Sequence, residues 1–236
     1  MQTSAEFWAL ASGSYRHAQD TLQVALQDKT WTAALEQTSG YESLPPAVIL
    51  DLDETVLDNV PLEAQLVLDR TGSLQPRWGQ WTSQGRAPLV AGAREFLAFA
   101  ASRGVRAFFV TNRAAGEQHT TLKNLIDQGL SATDDTLMVV GENGWTSDKT
   151  ARRAAVAKTH RILLLVGDDM NDFVSTAKLT PEQRVNLART HAARWGQRWV
   201  LIPNPLYGSW ERALYPGVTG DEEILEKKRE LLKGIE

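Results

Sequence analysis

The chain has 236 residues and a formal net charge of −4 at pH 7, with 42% hydrophobic and 23% charged residues. These values are ordinary for one globular domain, alone or with a small appendage. The negative charge and the lack of a basic stripe argue against a nucleic-acid backbone as partner. Because the chain contains no cysteine, disulfides, thiol nucleophiles and cysteine-bound zinc are excluded.

The first 44 residues carry apolar positions at helical spacing, which predict two or three amphipathic helices. Pro45 and Pro46 end this region, and an apolar run over 47–50 follows. Such a run is typical of a strand that is buried on both faces in a parallel sheet. Asp51 and Asp53 come directly after it, where open parallel sheets form their reactive crevice. These two carboxylates are therefore candidates for chemistry.

Helical and extended patterns alternate after this strand. A helix is predicted over 62–70, a loop with Pro76, Trp78 and Trp81 follows, and a strong helix is predicted over 91–103. The loop is too long for a plain crossover between two strands. We therefore expect this part of the chain to be an insertion.

A second buried strand is predicted over 105–110, and Thr111 and Asn112 follow it. A hydroxyl group and consecutive backbone N–H groups at a strand end can hold phosphate oxygens. Lys149 lies at the predicted start of a later helix, where a lysine supplies a point charge for an anion. Alone, this lysine would be interpreted as an ordinary surface residue.

A third buried strand is predicted over 162–166, and it leads through Gly167 to Asp168 and Asp172. The three strand ends bring together two carboxylates, a phosphate cradle and a second acidic cluster. Mg²⁺ prefers a few carboxylates, water and substrate phosphate as ligands. The combination therefore predicts a Mg²⁺ site that faces a phosphate site.

Strands that alternate with helices predict a doubly wound α/β fold with a mostly parallel sheet and right-handed crossovers. We divide the chain into an N-terminal helical region over 1–44, a core over 45–216 with an insertion at about 60–90, and a C-terminal helix over 217–236. The remaining predicted elements are helices over 116–128, 181–195 and 221–233 and short strands over 137–140 and 199–202.

The order of these motifs resembles that of the haloacid dehalogenase superfamily of phosphatases. The motifs are Asp-Leu-Asp-Glu-Thr at 51–55, Thr-Asn at 111–112, Lys149, and Gly-Asp-Asp-Met-Asn-Asp at 167–172. Longer runs are similar to the class C acid phosphatases, and they lie at 52–59, 110–113, 168–173 and 205–211. The class C enzymes are bacterial phosphomonoesterases and 5′-nucleotidases, typically lipoproteins, with four signature aspartates. Asp169 departs from this pattern, because asparagine is expected there at least as often, and we expect it to face solvent.

The resemblance implies that the insertion joins the N-terminal and C-terminal helices in a smaller α-rich part beside the active site. It also implies a role for each aspartate. Asp51 would be the nucleophile that forms an aspartyl-phosphate, and Asp53 would act as general acid and then as general base. The Asp51 side chain, the Asp53 main-chain carbonyl and Asp168 would hold Mg²⁺. Asp172 would act mainly by orienting water near the metal.

Five further residues are candidates for substrate binding. Thr111, Asn112 and Lys149 would hold the non-bridging oxygens, which gain negative charge in the transition state. Trp81 and Tyr207 lie in segments that the resemblance places near the mouth of the site, where they would stack on a nucleobase or aryl ester. Ordinary packing is an equally good interpretation of either ring.

The expected compartment also depends on the resemblance. The N-terminus has no charged n-region and no apolar h-region, and no stretch is apolar enough to span a bilayer. Family members are exported and anchored by lipid on an N-terminal cysteine. The resemblance therefore favours an exported protein, from which the signal and that cysteine have been removed, over a cytoplasmic one. It also implies a homodimer.

The leading hypothesis is a Mg²⁺-dependent phosphomonoesterase that acts broadly on small phosphate monoesters, including 5′-nucleotides and aryl phosphates. One alternative is a phosphatase or phosphotransferase for a single small ester, which the aspartates cannot distinguish because they contact only the phosphate. Another is a non-catalytic phosphate-binding or storage protein on the same fold. Loss of a signature aspartate would mark that protein, and Asp51, Asp53, Asp168 and Asp172 are all present.

Overall fold

A five-stranded parallel sheet forms the centre of the computed structural model, which describes residues 1–70 and 75–231. The strands are β1 (Pro46–Leu50), β2 (Arg106–Ala114), β3 (Leu137–Val140), β4 (Arg161–Gly167) and β5 (Trp199–Leu201). Their order is β3-β2-β1-β4-β5, and each neighbouring pair is parallel. The strand order reverses direction at β1, which is where open parallel sheets bind ligands.

Helices connect the strands and cover both faces of the sheet. They are α1 (Ala5–Gln27), α2 (Val60–Asp69), α3 (Gln75–Thr82), α4 (Ala93–Ser102), α5 (Gln118–Asp127), α6 (Thr150–Ala157), α7 (Pro181–Thr190), α8 (Ser209–Arg212) and α9 (Asp221–Leu231). In β1, Val48 and Leu50 pack into one apolar cluster, and Ala47 and Ile49 pack into another. Both faces are therefore buried, which explains the unbroken apolar run and confirms the predicted fold class.

The N-terminal region contains one long helix, α1, instead of the two or three that the apolar spacing predicts. The chain then runs irregularly to β1, because tertiary hydrogen bonds replace helical ones there. Trp31 donates from Nε1 to the Leu163 carbonyl at 2.8 Å, and the Gln37 side chain donates to the Ala157 carbonyl at 2.9 Å. Helix α1 shares an apolar cluster with the sheet. The predicted division of the chain into domains stays a prediction.

The segment with Trp78 and Trp81, predicted as a loop, forms α3. Pro76 lies in its first turn, where proline is tolerated, and Gly79 weakens the helical signal in the sequence. At the other end of the chain, α9 is described to Leu231, so its predicted continuation to 233 lies outside the described residues. None of the helices in the described ranges is long and apolar enough to cross a membrane.

Candidate active site

Three neighbouring strands deliver the predicted site residues to one edge of the sheet. Asp51 follows the last residue of β1, and Asp168 follows the last residue of β4. Strand β2 pairs with β1 as far as Phe109 and then continues through Thr111 to Ala114, beside β3. This continuation, longer than predicted, projects Thr111 past the end of β1 and beside the two aspartates.

A cluster of three carboxylates lies at this edge. Oxygen atoms of Asp51, Asp168 and Asp172 all lie within 4.8 Å of one another. Lys149, just before α6, donates from Nζ to Asp51 and, at 2.6 Å, to Asp172. The structure thus brings together four of the predicted residues from widely separated parts of the chain.

The electrostatics of the cluster favour a bound cation. Burial raises the pKa of Asp51 to about 7, and Asp172 and Asp53 add to the effect while Lys149 opposes it. Burial also raises the pKa of Asp168 and of Asp172. Burial alone would lower the pKa of Lys149, but Asp172 and Asp51 outweigh it and raise that pKa. Lys149 supplies one positive charge to a cluster of three carboxylates, so the ionised cluster keeps uncompensated negative charge. This surplus fits a divalent cation with oxygen ligands.

Asp168 is oriented by two neutral donors. Thr55 donates from Oγ1 to one carboxylate oxygen at 3.1 Å, and Asn204 donates from Nδ2 to the other at 2.8 Å. Each bond occupies one lone-pair direction on its oxygen, and a carboxylate oxygen can accept more than one such contact. The carboxylate is therefore fixed in orientation while it retains capacity for a metal ligand bond.

Asp172 lies over the last residue of β4 because that residue is a glycine. A Cβ atom at Gly167 would collide with the Asp172 carboxylate. Asp172 accepts from the Asp169 backbone N–H at 2.9 Å, and Arg153 donates to its main-chain oxygen at 3.1 Å. Arg153 is in turn paired with Glu36 at 2.8 Å.

The Asp53 side chain turns away from this cluster. Its carboxylate is paired with the buried guanidinium of Arg113 at 2.7 Å, and Asn59 donates to it from Nδ2 at 2.9 Å. The main-chain carbonyl of Asp53 is therefore the group that remains for the predicted metal site, whereas its side chain is bound to Arg113 and Asn59.

The predicted phosphate cradle is held from behind by Arg152. This buried side chain donates to the Thr111 carbonyl, to Asn112 Oδ1 at 2.8 Å and to the Thr146 carbonyl at 2.8 Å. Because Oδ1 of Asn112 is occupied, its amide Nδ2 remains available to donate to an anion. Lys149 also keeps a third ammonium proton beyond the two that its carboxylate partners accept.

Both candidate stacking residues bond to the turn that follows β1. Trp81 is only 9% exposed, and its indole N–H donates to Asn59 Oδ1 at 2.7 Å. Tyr207 is half-buried, and its hydroxyl donates to Glu54. Glu54 and Asn59 are themselves bonded, since Glu54 Oε1 accepts the Asn59 backbone N–H at 2.9 Å. The burial of Trp81 favours the packing interpretation for that ring.

Asp169 does not face solvent as predicted. Its carboxylate accepts from the Ser209 backbone N–H at 2.7 Å and from the Asn171 backbone N–H at 2.9 Å. It therefore ties the start of α8 to the loop after β4. The prediction was wrong because Ser209 reaches Asp169 only in the tertiary fold, which brings residues 169 and 209 together.

Several residues of the site had no predicted chemical role. They are Glu54, Thr55, Asn59, Arg113, Arg152 and Asn204. A usable signal existed only for Arg113, a charged residue that follows Thr111 and Asn112 just beyond a strongly apolar strand. Arg152 stands next to Arg153 in a helical pattern, which is indistinguishable in sequence from a solvated face.

Comparison with known proteins agrees with this geometry. Residues 9–210 match the family model described as HAD superfamily, subfamily IIIB (Acid phosphatase). The structure of the class C acid phosphatase from Bacillus anthracis is similar with a TM-score of 0.86 and 31% identity, covering 100% of this chain and 94% of that one. The structure of the same enzyme with tungstate bound gives a TM-score of 0.85 and 30% identity, with the same coverage.

Acid phosphatase 1 from Solanum lycopersicum is 24% identical over 167 residues, which are 67% of this chain and 57% of that protein. The chain thus spans little more than half the length of this curated relative. The family model, by contrast, covers most of the chain, and the class C fold extends over all of it. The chain therefore belongs to HAD superfamily subfamily IIIB, the acid phosphatases, a family of phosphoric monoester hydrolases.

Proposed function

We propose that the protein is a Mg²⁺-dependent phosphomonoesterase of broad specificity, which acts on 5′-nucleotides and aryl phosphates through an aspartyl-phosphate at Asp51. The observation that carries this proposal is the convergence of Asp51, Asp168 and Asp172 within 4.8 Å beside Lys149. Membership of the acid phosphatase family supports the reaction class. The tungstate in the Bacillus anthracis structure supports an oxyanion as the bound group.

The proposed metal ligands are the Asp51 side chain, the Asp53 main-chain carbonyl and Asp168, with Asp172 beside them. When bound, Mg²⁺ supplies positive charge that offsets the carboxylates and the phosphate. Asp51 must be ionised to attack phosphorus, and burial raises its pKa to about 7 without a metal. Lys149 lowers this pKa, so the lysine helps to keep the nucleophile charged.

The residues of the cradle bind the phosphate and orient it for attack. The Thr111 hydroxyl, the Asn112 amide and the third Lys149 proton would each donate to a non-bridging oxygen. Such donors contribute most where charge develops in the transition state. Arg152 holds the Thr111 carbonyl and the Asn112 side chain, and its own guanidinium adds positive charge behind the cradle.

The reaction then proceeds in two steps that Asp53 connects. An Asp51 oxygen forms a bond to phosphorus while the bond to the ester oxygen breaks and leaves its electron pair on that oxygen. Asp53 gives its proton to the departing oxygen, so the product is a neutral alcohol or phenol. In the second step Asp53 takes a proton from the attacking water, the water oxygen forms a bond to phosphorus, and the bond from the Asp51 oxygen to phosphorus breaks and releases inorganic phosphate.

The direct test is hydrolysis of 4-nitrophenyl phosphate between pH 4 and pH 8, with the protein stripped by chelator and then supplied with Mg²⁺. We expect chelation to abolish turnover and Mg²⁺ to restore it, because uncompensated carboxylates repel the phosphate. Full activity of the metal-free protein would contradict the proposal. A panel of nucleotides, sugar phosphates and alkyl phosphates then separates a broad enzyme from one that serves a single ester.

The site of action is a separate proposal. The family resemblance supports an exported, lipid-anchored protein that forms a homodimer. Fractionation of cells that express the complete gene, together with sedimentation of the purified protein, tests location and assembly independently of activity.

A further inference from the structure

The two carboxylate oxygens of Asp53 have very different surroundings. Oδ1 accepts from Arg113 Nη2 at 2.7 Å, from Arg113 Nε at 3.1 Å and from Asn59 Nδ2 at 2.9 Å. Among the residues that the structure describes, Oδ2 has only long contacts, with Arg113 Nε at 3.3 Å and with Thr111 Oγ1 at 3.5 Å. A proton on Oδ1 would face three donors, whereas Oδ2 has room to carry one.

We propose that Asn59 and Arg113 are positioning residues that hold Oδ1 of Asp53 and thereby reserve Oδ2 for proton transfer to the leaving group. This inference rests on the proposed function, since it specifies which oxygen of the general acid gives up its proton. The proton passes from Oδ2 to the ester oxygen as the phosphorus–oxygen bond breaks. The carboxylate that remains is stabilised through Oδ1 by the same two residues.

Asn59 is suited to this role because its amide has one allowed orientation. The residue is fully buried, and the Trp81 indole N–H, which can only donate, bonds to its Oδ1 at 2.7 Å. The amide nitrogen must then face the acids, and Nδ2 donates to Asp53 and, at 3.0 Å, to Glu54. Every hydrogen-bonding group of this side chain is therefore used, and Trp81 acts on Asp53 through it.

Arg113 is fixed as firmly. Its side chain is 1% exposed, and Nη1 donates to Thr121 Oγ1 at 3.2 Å. The guanidinium carbon lies 5.8 Å from the centre of the Trp78 ring, within the range of a cation–π contact. A rigid planar fork of this kind holds a carboxylate in one orientation better than a lysine does.

The dependence of the rate on the leaving group provides the test. A nitrophenolate departs readily without a proton, whereas an alkoxide needs one, so a misplaced general acid slows alkyl esters most. For Asn59→Ala we expect a loss in kcat/KM of roughly 3- to 10-fold with 4-nitrophenyl phosphate. With ethyl phosphate we expect a further loss of at least about 10-fold, since general acid catalysis is worth roughly 10²–10⁴-fold.

Asn124→Ala is the matched control. Asn124 is also buried, at 1% exposure, and its amide bonds the Ala87 backbone N–H and carbonyl, each at 3.0 Å. Asn124→Ala should change kcat/KM for the two substrates by the same factor, because Asn124 does not contact Asp53. If Asn59→Ala fails to fold, as judged by circular dichroism, Trp81→Phe replaces it. That variant keeps an aromatic ring, removes the donor to Asn59 Oδ1, and should slow ethyl phosphate more than nitrophenyl phosphate.

The outcomes separate this inference from the proposed function. Equal losses on both esters in Asn59→Ala or Trp81→Phe, with an active wild-type protein, would overturn the inference and leave the phosphatase proposal standing. A wild-type protein that hydrolyses neither ester in the presence of Mg²⁺ would overturn both. A selective loss on ethyl phosphate, absent from Asn124→Ala, is the result we expect.

Discussion

Tyr207 is anchored at its hydroxyl and half-buried at its ring. The hydroxyl donates to Glu54, next to Asp53, while the ring belongs to the loop before α8. A ring in this position can contact the part of a substrate that lies beyond the phosphate. The proposed specificity for nucleotides and aryl esters therefore depends on this residue more than on the buried Trp81.

We expect Tyr207→Ala to lower kcat/KM for nucleoside monophosphates by roughly 5- to 100-fold, because stacking on a base is worth about 1–3 kcal/mol. Ethyl phosphate has no ring, so its hydrolysis should change little. Steady-state kinetics with both substrates measure the difference, and Tyr207→Phe, which keeps the ring, serves as control. Equal losses would show that the ring is structural, which is the result we expect for Trp81→Ala.

The carboxylates of the site could be predicted from sequence, whereas their partners could not. Asp51, Asp53 and Asp168 directly follow apolar strands or lie two residues beyond, so a local pattern identifies them. Arg113 contacts Asp53 from 60 positions away, and no local pattern specifies that pairing. Asn59, only six positions from Asp53, was missed because a turn residue that supports a neighbour is identical in sequence to one that faces solvent.

Gly167, the last residue of β4, provides a test of the carboxylate cluster. We expect Gly167→Ala to weaken Mg²⁺ binding at least about 10-fold, because the new methyl group would displace the Asp172 carboxylate and with it the Lys149 ammonium group. Isothermal titration calorimetry with Mg²⁺ measures this without turnover.

The control for that experiment is Gly13→Ala in α1. Gly13 is exposed, and a Cβ there meets no atom within 4 Å. The substitution should stabilise the protein by roughly 0.5–1 kcal/mol, as expected for glycine to alanine in a helix, and leave the Mg²⁺ affinity unchanged. A wild-type Mg²⁺ affinity in Gly167→Ala would mean that the position of the Asp172 carboxylate does not depend on the glycine.

The strands were easier to predict from the sequence than the helices around them. Strands β1, β3 and β4 were predicted within a residue or two, since each is a short apolar run with a clear end. Helix α3 was missed because Pro76 and Gly79 lower its helical signal, although proline is compatible with a first turn. The segment after α1 has helical spacing but runs irregularly to β1, and side chains such as Trp31 find backbone partners in the sheet.

The buried acids make the stability of the whole molecule depend on pH. Burial raises the pKa values of Asp51, Asp168, Asp172 and Glu54 above their unfolded values. Between about pH 4 and pH 7 the unfolded chain loses these protons first, so the folded state holds more protons and its stability falls as the pH rises.

We therefore expect the Tm of the chelated protein to fall by several degrees from pH 4.5 to pH 7.5, since 1 kcal/mol shifts the Tm of a domain of this size by roughly 2–4 °C. Saturating Mg²⁺ should flatten the dependence, because it binds the ionised cluster. Calorimetry of the wild type and of Asp168→Asn, which should have a shallower slope, checks this. A Tm that rises over this range without metal would contradict the buried cluster.

Turnover of 4-nitrophenyl phosphate by Asp51→Asn, with Mg²⁺ present, tests the central claim most directly. The substitution keeps the size of the side chain and removes the attacking carboxylate, so we expect a loss of at least about 10⁴-fold with the fold intact. Asp58→Asn is the control, because within the described ranges the Asp58 side chain bonds only the Val60 backbone N–H. Asparagine can accept the same bond, so this variant should retain turnover. Near-wild-type turnover in folded Asp51→Asn would contradict catalysis through an aspartyl-phosphate at this residue.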